Sequence, residues 1–137
     1  MNDLIYETSS KKSITEVRAA LEVSLKERKF GILTEIDVAK VMEKKGVEFH
    51  DELLLLGVCN PNYAKEVLEI NSDLAVMLPC SIVIQKNGTG SIIKLAKPSQ
   101  LVAFFPDQDR LAAFGDKVEE LLRAAIDDVV ADDKNID

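Results

Sequence analysis

Cys80-Ser81-Ile82-Val83-Ile84-Gln85-Lys86-Asn87-Gly88-Thr89-Gly90-Ser91-Ile92-Ile93-Lys94-Leu95-Ala96 is the stretch that decides the fold. Two β-rich runs, Cys80 to Gln85 and Ser91 to Ala96, flank Asn87-Gly88-Thr89-Gly90. Asparagine and glycine supply the positive φ angles that a hairpin turn needs, so the pattern predicts an antiparallel pair here. Immediately upstream, Glu52 to Val58 contains four consecutive leucines, and its length, followed by Asn60-Pro61, reads as a buried strand rather than a helix. Asn60 as cap and Pro61 at the first helical position then open a helix carrying Ala64, Val67 and Leu68, which stops near Asn71. Leu74 to Leu78 is apolar and short and ends at Pro79; its pattern decides neither helix nor strand.

Further upstream, Phe30 to Ile36 alternates with apolar groups on both sides, which predicts a central strand. Asp3 to Thr8 reads as a first, short strand. Between them Ser13-Ile14-Thr15-Glu16 is a capping box, and Ile14, Val17, Leu21 and Leu25 form one helical stripe. A helix between two strands allows a right-handed crossover that leaves them parallel. Asp37 can cap a short helix that buries Val38, Val41 and Met42 and ends at Gly46. Downstream, Leu101 to Phe105 is read as an edge segment between Pro98 and Pro106, with Phe104-Phe105 packed under the last helix. That helix runs from about Gln108 along Leu111, Phe114, Val118, Leu121, Ala125 and Val129. Asp132, Asp133 and Asp137 crowd its negative end, which predicts a frayed acidic tail over 132–137 beyond a single domain over 1–131. The class is α+β: a mostly antiparallel sheet with two long helices on one face.

A chain of 137 residues with 47% hydrophobic and 30% charged residues can bury one core and stay dissolved. Its net charge of −7, from 17 basic against 24 acidic side chains, repels phosphate backbones and anionic membrane surfaces, so neither nucleic acid nor membrane is expected as partner. No apolar run approaches the roughly 20 residues of a membrane span. Met1 to Tyr6 lacks the basic start and apolar segment of a secretory signal, which leads to an expected cytoplasmic location. Two cysteines in a chain of this size suit reduced thiols better than a disulfide scaffold.

Three segments, Phe30-Gly31-Ile32-Leu33-Thr34-Glu35-Ile36-Asp37-Val38, Leu56-Gly57-Val58-Cys59-Asn60-Pro61 and Leu78-Pro79-Cys80, together resemble the family called domain of unknown function 302, DUF302. The resemblance implies a TATA-binding-protein-like α+β arrangement and, for some members, homodimers. It implies no reaction and no cofactor. Lys97-Pro98 departs from the acidic residue that the family often carries before this proline.

Cys59 ends the leucine strand and precedes a helix start, where backbone N–H groups and the helix dipole can favour a thiolate. Cys80 opens the next strand, so the two sulfurs can meet at strand ends. Packing as small hydrophobes is the plainer account of both. Glu35 on its strand face and Asn60 at the helix start are candidates for ligand contacts. No metal site is expected: His50 is the sole histidine, and its spacing to the thiols fits no zinc pattern. The leading expectation is a non-enzymatic binding or assembly module, a homodimer with room for a small-molecule ligand. The alternative is thiol-dependent sulfur or redox chemistry at Cys59 with Cys80.

Overall fold

The hairpin forms as read in a computed structural model of the chain, which describes residues 3–135 and, for Lys134 and Asn135, the backbone alone; Met1, Asn2, Ile136 and Asp137 lie outside the described residues. Strands β4 (Cys80–Asn87) and β5 (Gly90–Ala96) pair antiparallel, with Asn87 opposite Gly90 and Gly88 at φ +62° in the loop. Around them lie β1 (Ile5–Ser10), β2 (Gly31–Asp37) and β3 (Leu53–Cys59), in the order β1-β5-β4-β3-β2, with every pairing antiparallel.

This order corrects the reading of Phe30 to Ile36 as central; the first two strands do run parallel, as the four successive antiparallel pairings between them require, but from opposite edges of the sheet. β2 is an edge strand; β1 holds the opposite edge. The apolar residues on both sides of β2 come instead from a bulge between Ile32 and Thr34. An extra residue inverts side-chain parity, so Ile32 packs on the core while Leu33 and Ile36 beyond it stand exposed. Bulges of this kind also blunt an edge against pairing with other chains.

Helix α1 (Ile14–Glu27) starts on the complete capping box: Glu16 N–H donates to Ser13 Oγ and Ser13 N–H to the Glu16 carboxylate. It crosses one face of the sheet beside α5 (Gln108–Ala131). Leu21 and Leu25 of α1 and Leu122 and Ile126 of α5 bury completely against Ile82, Ile84, Ile93 and Leu95. Each such side chain contributes about 1.5–3 kcal/mol relative to exposure. α2 (Val38–Lys44), capped by Asp37, links β2 to β3 and ends at Gly46, φ +72°. Its apolar side chains are not buried as read, and Val41 is 42% exposed.

A smaller cluster sits at one end of the sheet. Helix α3 (Pro61–Ile70) and the undecided segment, now a 3-10 helix over Ser72–Met77, contribute Val67 and Leu74 to it. Leu101 to Phe105 is not an edge strand: α4 (Pro98–Val102) is helical, with Pro98 in its first turn. Glu119 of α5 accepts from both the N–H and Oγ of Ser99, which satisfies the opening turn. Close approach of the two helices needs Gly115, where a Cβ would come within 2.7 Å of Val102. Phe105 packs as read, whereas Phe104 is 83% exposed.

Within the segment read as a frayed acidic tail, Asp133 is tied down, while the end of that segment, Ile136 and Asp137, lies outside the described residues. Asp133 is buried and accepts hydrogen bonds from Ser10 Oγ, Lys11 N–H and Lys12 Nζ. Lys12 Nζ also donates to the Val129 carbonyl near the end of α5. The cation relieves the helix dipole that the aspartates oppose, which composition alone did not reveal. Burial raises the Asp133 pKa, but the bonds from Lys11, Lys12 and Ser10 prevail and hold it below its usual value. A depressed carboxylate pKa stabilises the fold above the unfolded value of about 3.8 and loses that contribution as pH falls through the folded value. Asp133→Ala is therefore expected to cost about 2 kcal/mol at neutral pH. In thermal melts the gap from wild type should close as the pH drops below about 4.

Candidate functional site

The ends of β3 and β4 bring the sequence-derived candidates together. Val58 pairs with Cys80 across the two strands, and Cys59 is the last residue of β3 before Asn60. Both cysteines are free, partly buried and border one cavity of about 40 Å³ beneath α3, α4 and α5. The remaining wall is apolar, with Phe30, Val67, Leu74, Phe114 and Val118 among it. Tyr63 stacks on Phe30 at 6.4 Å between ring centres and meets Phe114 edge-on at 5.7 Å. Strand alternation nevertheless starts the two cysteine side chains toward opposite faces, because Cys59 follows Val58, the partner of Cys80.

Asn60 explains why the helix start does not activate the thiol. Its Oδ1 accepts from Asn62 N–H at 3.0 Å and Tyr63 N–H at 3.3 Å, the donors that a thiolate would need. Burial pushes the Cys59 thiol above its ordinary value. Cys80 is pushed up to about 11, first by burial and then by the neighbouring Cys59. Both therefore stay protonated at neutral pH, the opposite of a low-pKa nucleophile.

The other candidates go elsewhere. Glu35 lies on the edge strand, apart from the cysteines, borders the grooves beside α2 and accepts from Arg18 Nε at 2.9 Å, which ties β2 to α1. His50, nearly fully exposed, contacts Glu48 before β3 begins, whereas Cys59 closes that strand. Among the described residues no group of three or more His, Cys, Asp and Glu side chains could hold a metal ion.

Reading the sequence missed the 3-10 helix and α4 as cavity walls. Gly57 lies within the Leu56-Gly57-Val58-Cys59 motif, whose local pattern gives it no role. A Cβ there would lie 2.3 Å from Thr34 Oγ1 and 2.5 Å from Pro79 Cγ, so glycine is what lets the cis Leu78-Pro79 segment close over the sheet. The signal available was the conjunction of Leu-Gly-Val-Cys-Asn-Pro with Leu-Pro-Cys, two segments that meet in space through the β3–β4 register.

The family model described as "Domain of unknown function DUF302" matches residues 6–129. The chain belongs to the DUF302 family. Its fold is similar to a solved structure titled "Crystal structure of uncharacterized conserved protein DUF302 from Bacillus stearothermophilus", with a TM-score of 0.86 and 30% identity over 92% of this chain and 98% of that one. No curated protein matches this DUF302 chain. Among its described residues no helix is long and apolar enough to cross a membrane.

Alkylation of the DUF302 chain by iodoacetamide, followed by peptide mass spectrometry across pH, should give apparent pKa values above 9 for both cysteines, with Cys80 the slower. Rapid modification of Cys59 at pH 6–7, as a thiolate would give, is incompatible with a thiol raised by burial.

Proposed function

We propose that this DUF302 chain is a cytoplasmic, non-enzymatic binding module that assembles as a homodimer through the sheet face away from α1 and α5. The observation that carries it is one-sided cover. A register row across that face runs Glu7, Lys94, Val83, Leu55 and Ile36, and the next brings Ile92, Gln85 and Leu53 into line. Ile36 is 46% exposed, and Val76, which borders the same face, is 82% exposed.

Charge favours a second copy as the occupant. The molecule carries −7 overall, yet Glu7 and Lys94 stand opposite each other in register, and Lys94 Nζ also donates to Gln85. The two charges in this row offset one another, so it can approach a copy without the repulsion that the acidic chain meets elsewhere. Five strands at about 4.8 Å spacing and strand lengths near 22 Å make a face of about 500 Å² in projection. Side-chain relief and the apolar rim bring this toward the ~800 Å² per partner of a standard interface. A two-fold axis would let the same row meet itself. The acidic balance argues against nucleic acid and anionic membranes as partners. Thiol chemistry at Cys59 with Cys80 is the weaker reading, because both thiols are held protonated.

Sedimentation equilibrium at micromolar concentration tests the assembly. The wild-type chain should run as a dimer, and Leu55→Glu or Val83→Glu should dissociate it at least 100-fold more readily, about 3 kcal/mol, with an unchanged far-ultraviolet dichroism spectrum. A wild-type monomer, or a dimer indifferent to both charges, overturns this reading.

A further inference from the structure

We infer that the cavity between the β3–β4 end, α3, α4 and α5 is a binding site for a small, uncharged, apolar molecule that packs against the Cys80 thiol without reacting with it. The inference rests on the binding-module reading and gives its ligand a chemistry. The cavity volume of about 40 Å³ exceeds the ~10–15 Å³ that a water needs, but a buried water also requires two to four polar partners. Those are scarce. Asn60 spends its Oδ1 on the start of α3, and both thiols are weak, protonated donors. Asn60 Nδ2 is the one side-chain amide donor at the wall, fewer partners than a held water requires. An apolar guest thus gains contacts with the wall without displacing well-held water.

Size and access narrow the ligand further. By proportion with a 150 Å³ cavity that accepts benzene, the space suits a guest of about one or two heavy atoms. Affinity for so small a guest is no tighter than about 5 mM. Met77, Leu78 and Leu101 border both this cavity and the groove on the uncovered sheet face, so the partition between them is made of three side chains. Met77 is unbranched and can swing aside where a β-branched residue could not. It is the natural gate, and it opens toward the face proposed for assembly.

Xenon is the probe. Methyl-labelled wild-type protein under xenon pressure should show saturable shifts at Val67, Leu74, Val102 and Val118, whereas acetate and tetramethylammonium at equal concentration should shift none of them. Ala64→Leu, which fills the cavity from α3, should weaken xenon binding at least tenfold; Val118→Ile serves as a second, milder filling should the first disturb folding. Xenon should also slow methyl methanethiosulfonate modification of Cys80 severalfold. Shifts that fail to saturate, or that survive both filled variants unchanged, overturn the inference. Leu55→Glu leaves the cavity wall intact, so the same saturable shifts are expected in that variant whatever its subunit count; this separates failure of the cavity site from failure of the assembly.

Discussion

One-sided burial is the constraint on which the rest of this molecule depends. Two helices of 14 and 24 residues cover one face of five antiparallel strands. The alternating residues Leu56, Val58, Ile82, Ile84, Ile93 and Leu95 go under them, almost or completely buried. Because side chains alternate, Leu55, Val83 and Ile92 necessarily face the other way. The apolar identity of those outward residues is the sequence's own choice, and the register that stabilises the protomer lines them up into its candidate interface.

The ends of the elements determine the chemistry at the cavity. A helix start next to a cysteine can be an activating device or merely a capped helix, and the difference is whether its N–H groups are already satisfied. Here Asn60 satisfies them, and the surrounding wall of α3, α4 and α5 withdraws the sulfurs from water. The two effects act in the same direction on the thiols. A cavity with neutral sulfur and aromatic edges is suited to holding an apolar molecule and poorly suited to nucleophilic attack.

Polar closure works at the far end of the long helix as well. Arg28 pairs with Asp128, Ser24 Oγ donates to the Ala125 carbonyl, and the Tyr6 hydroxyl donates to Asp127 while Arg123 lies 4.1 Å above its ring. With Asp133 on Ser10, Lys11 and Lys12, these contacts convert an acidic helix end into a docked one. Counting aspartates along the sequence gives the sign of their interaction with the helix dipole. It leaves out Lys12 and Arg28, which the β1–α1 connection and α1 bring alongside from a hundred or more residues away.

Taken alone, the sequence determined whatever is encoded within a few residues: the hairpin at Gly88, the capping box at Ser13, the Asn60-Pro61 helix start and the stripe of α5. It also determined the α+β class, because local periods of two and 3.6 leave direct marks, and pointed to the family through the likeness of three short motifs. Tertiary structure alone decided that β2 is an edge, that Leu101 to Phe105 belongs to a helix and its exit, and that Asp133 is anchored. It also decided that Cys59 and Cys80 border one cavity and stay protonated. The physical reason is that strand order, a bulge's change of parity and the desolvation of a thiol depend on partners distant in the chain, which local composition does not encode.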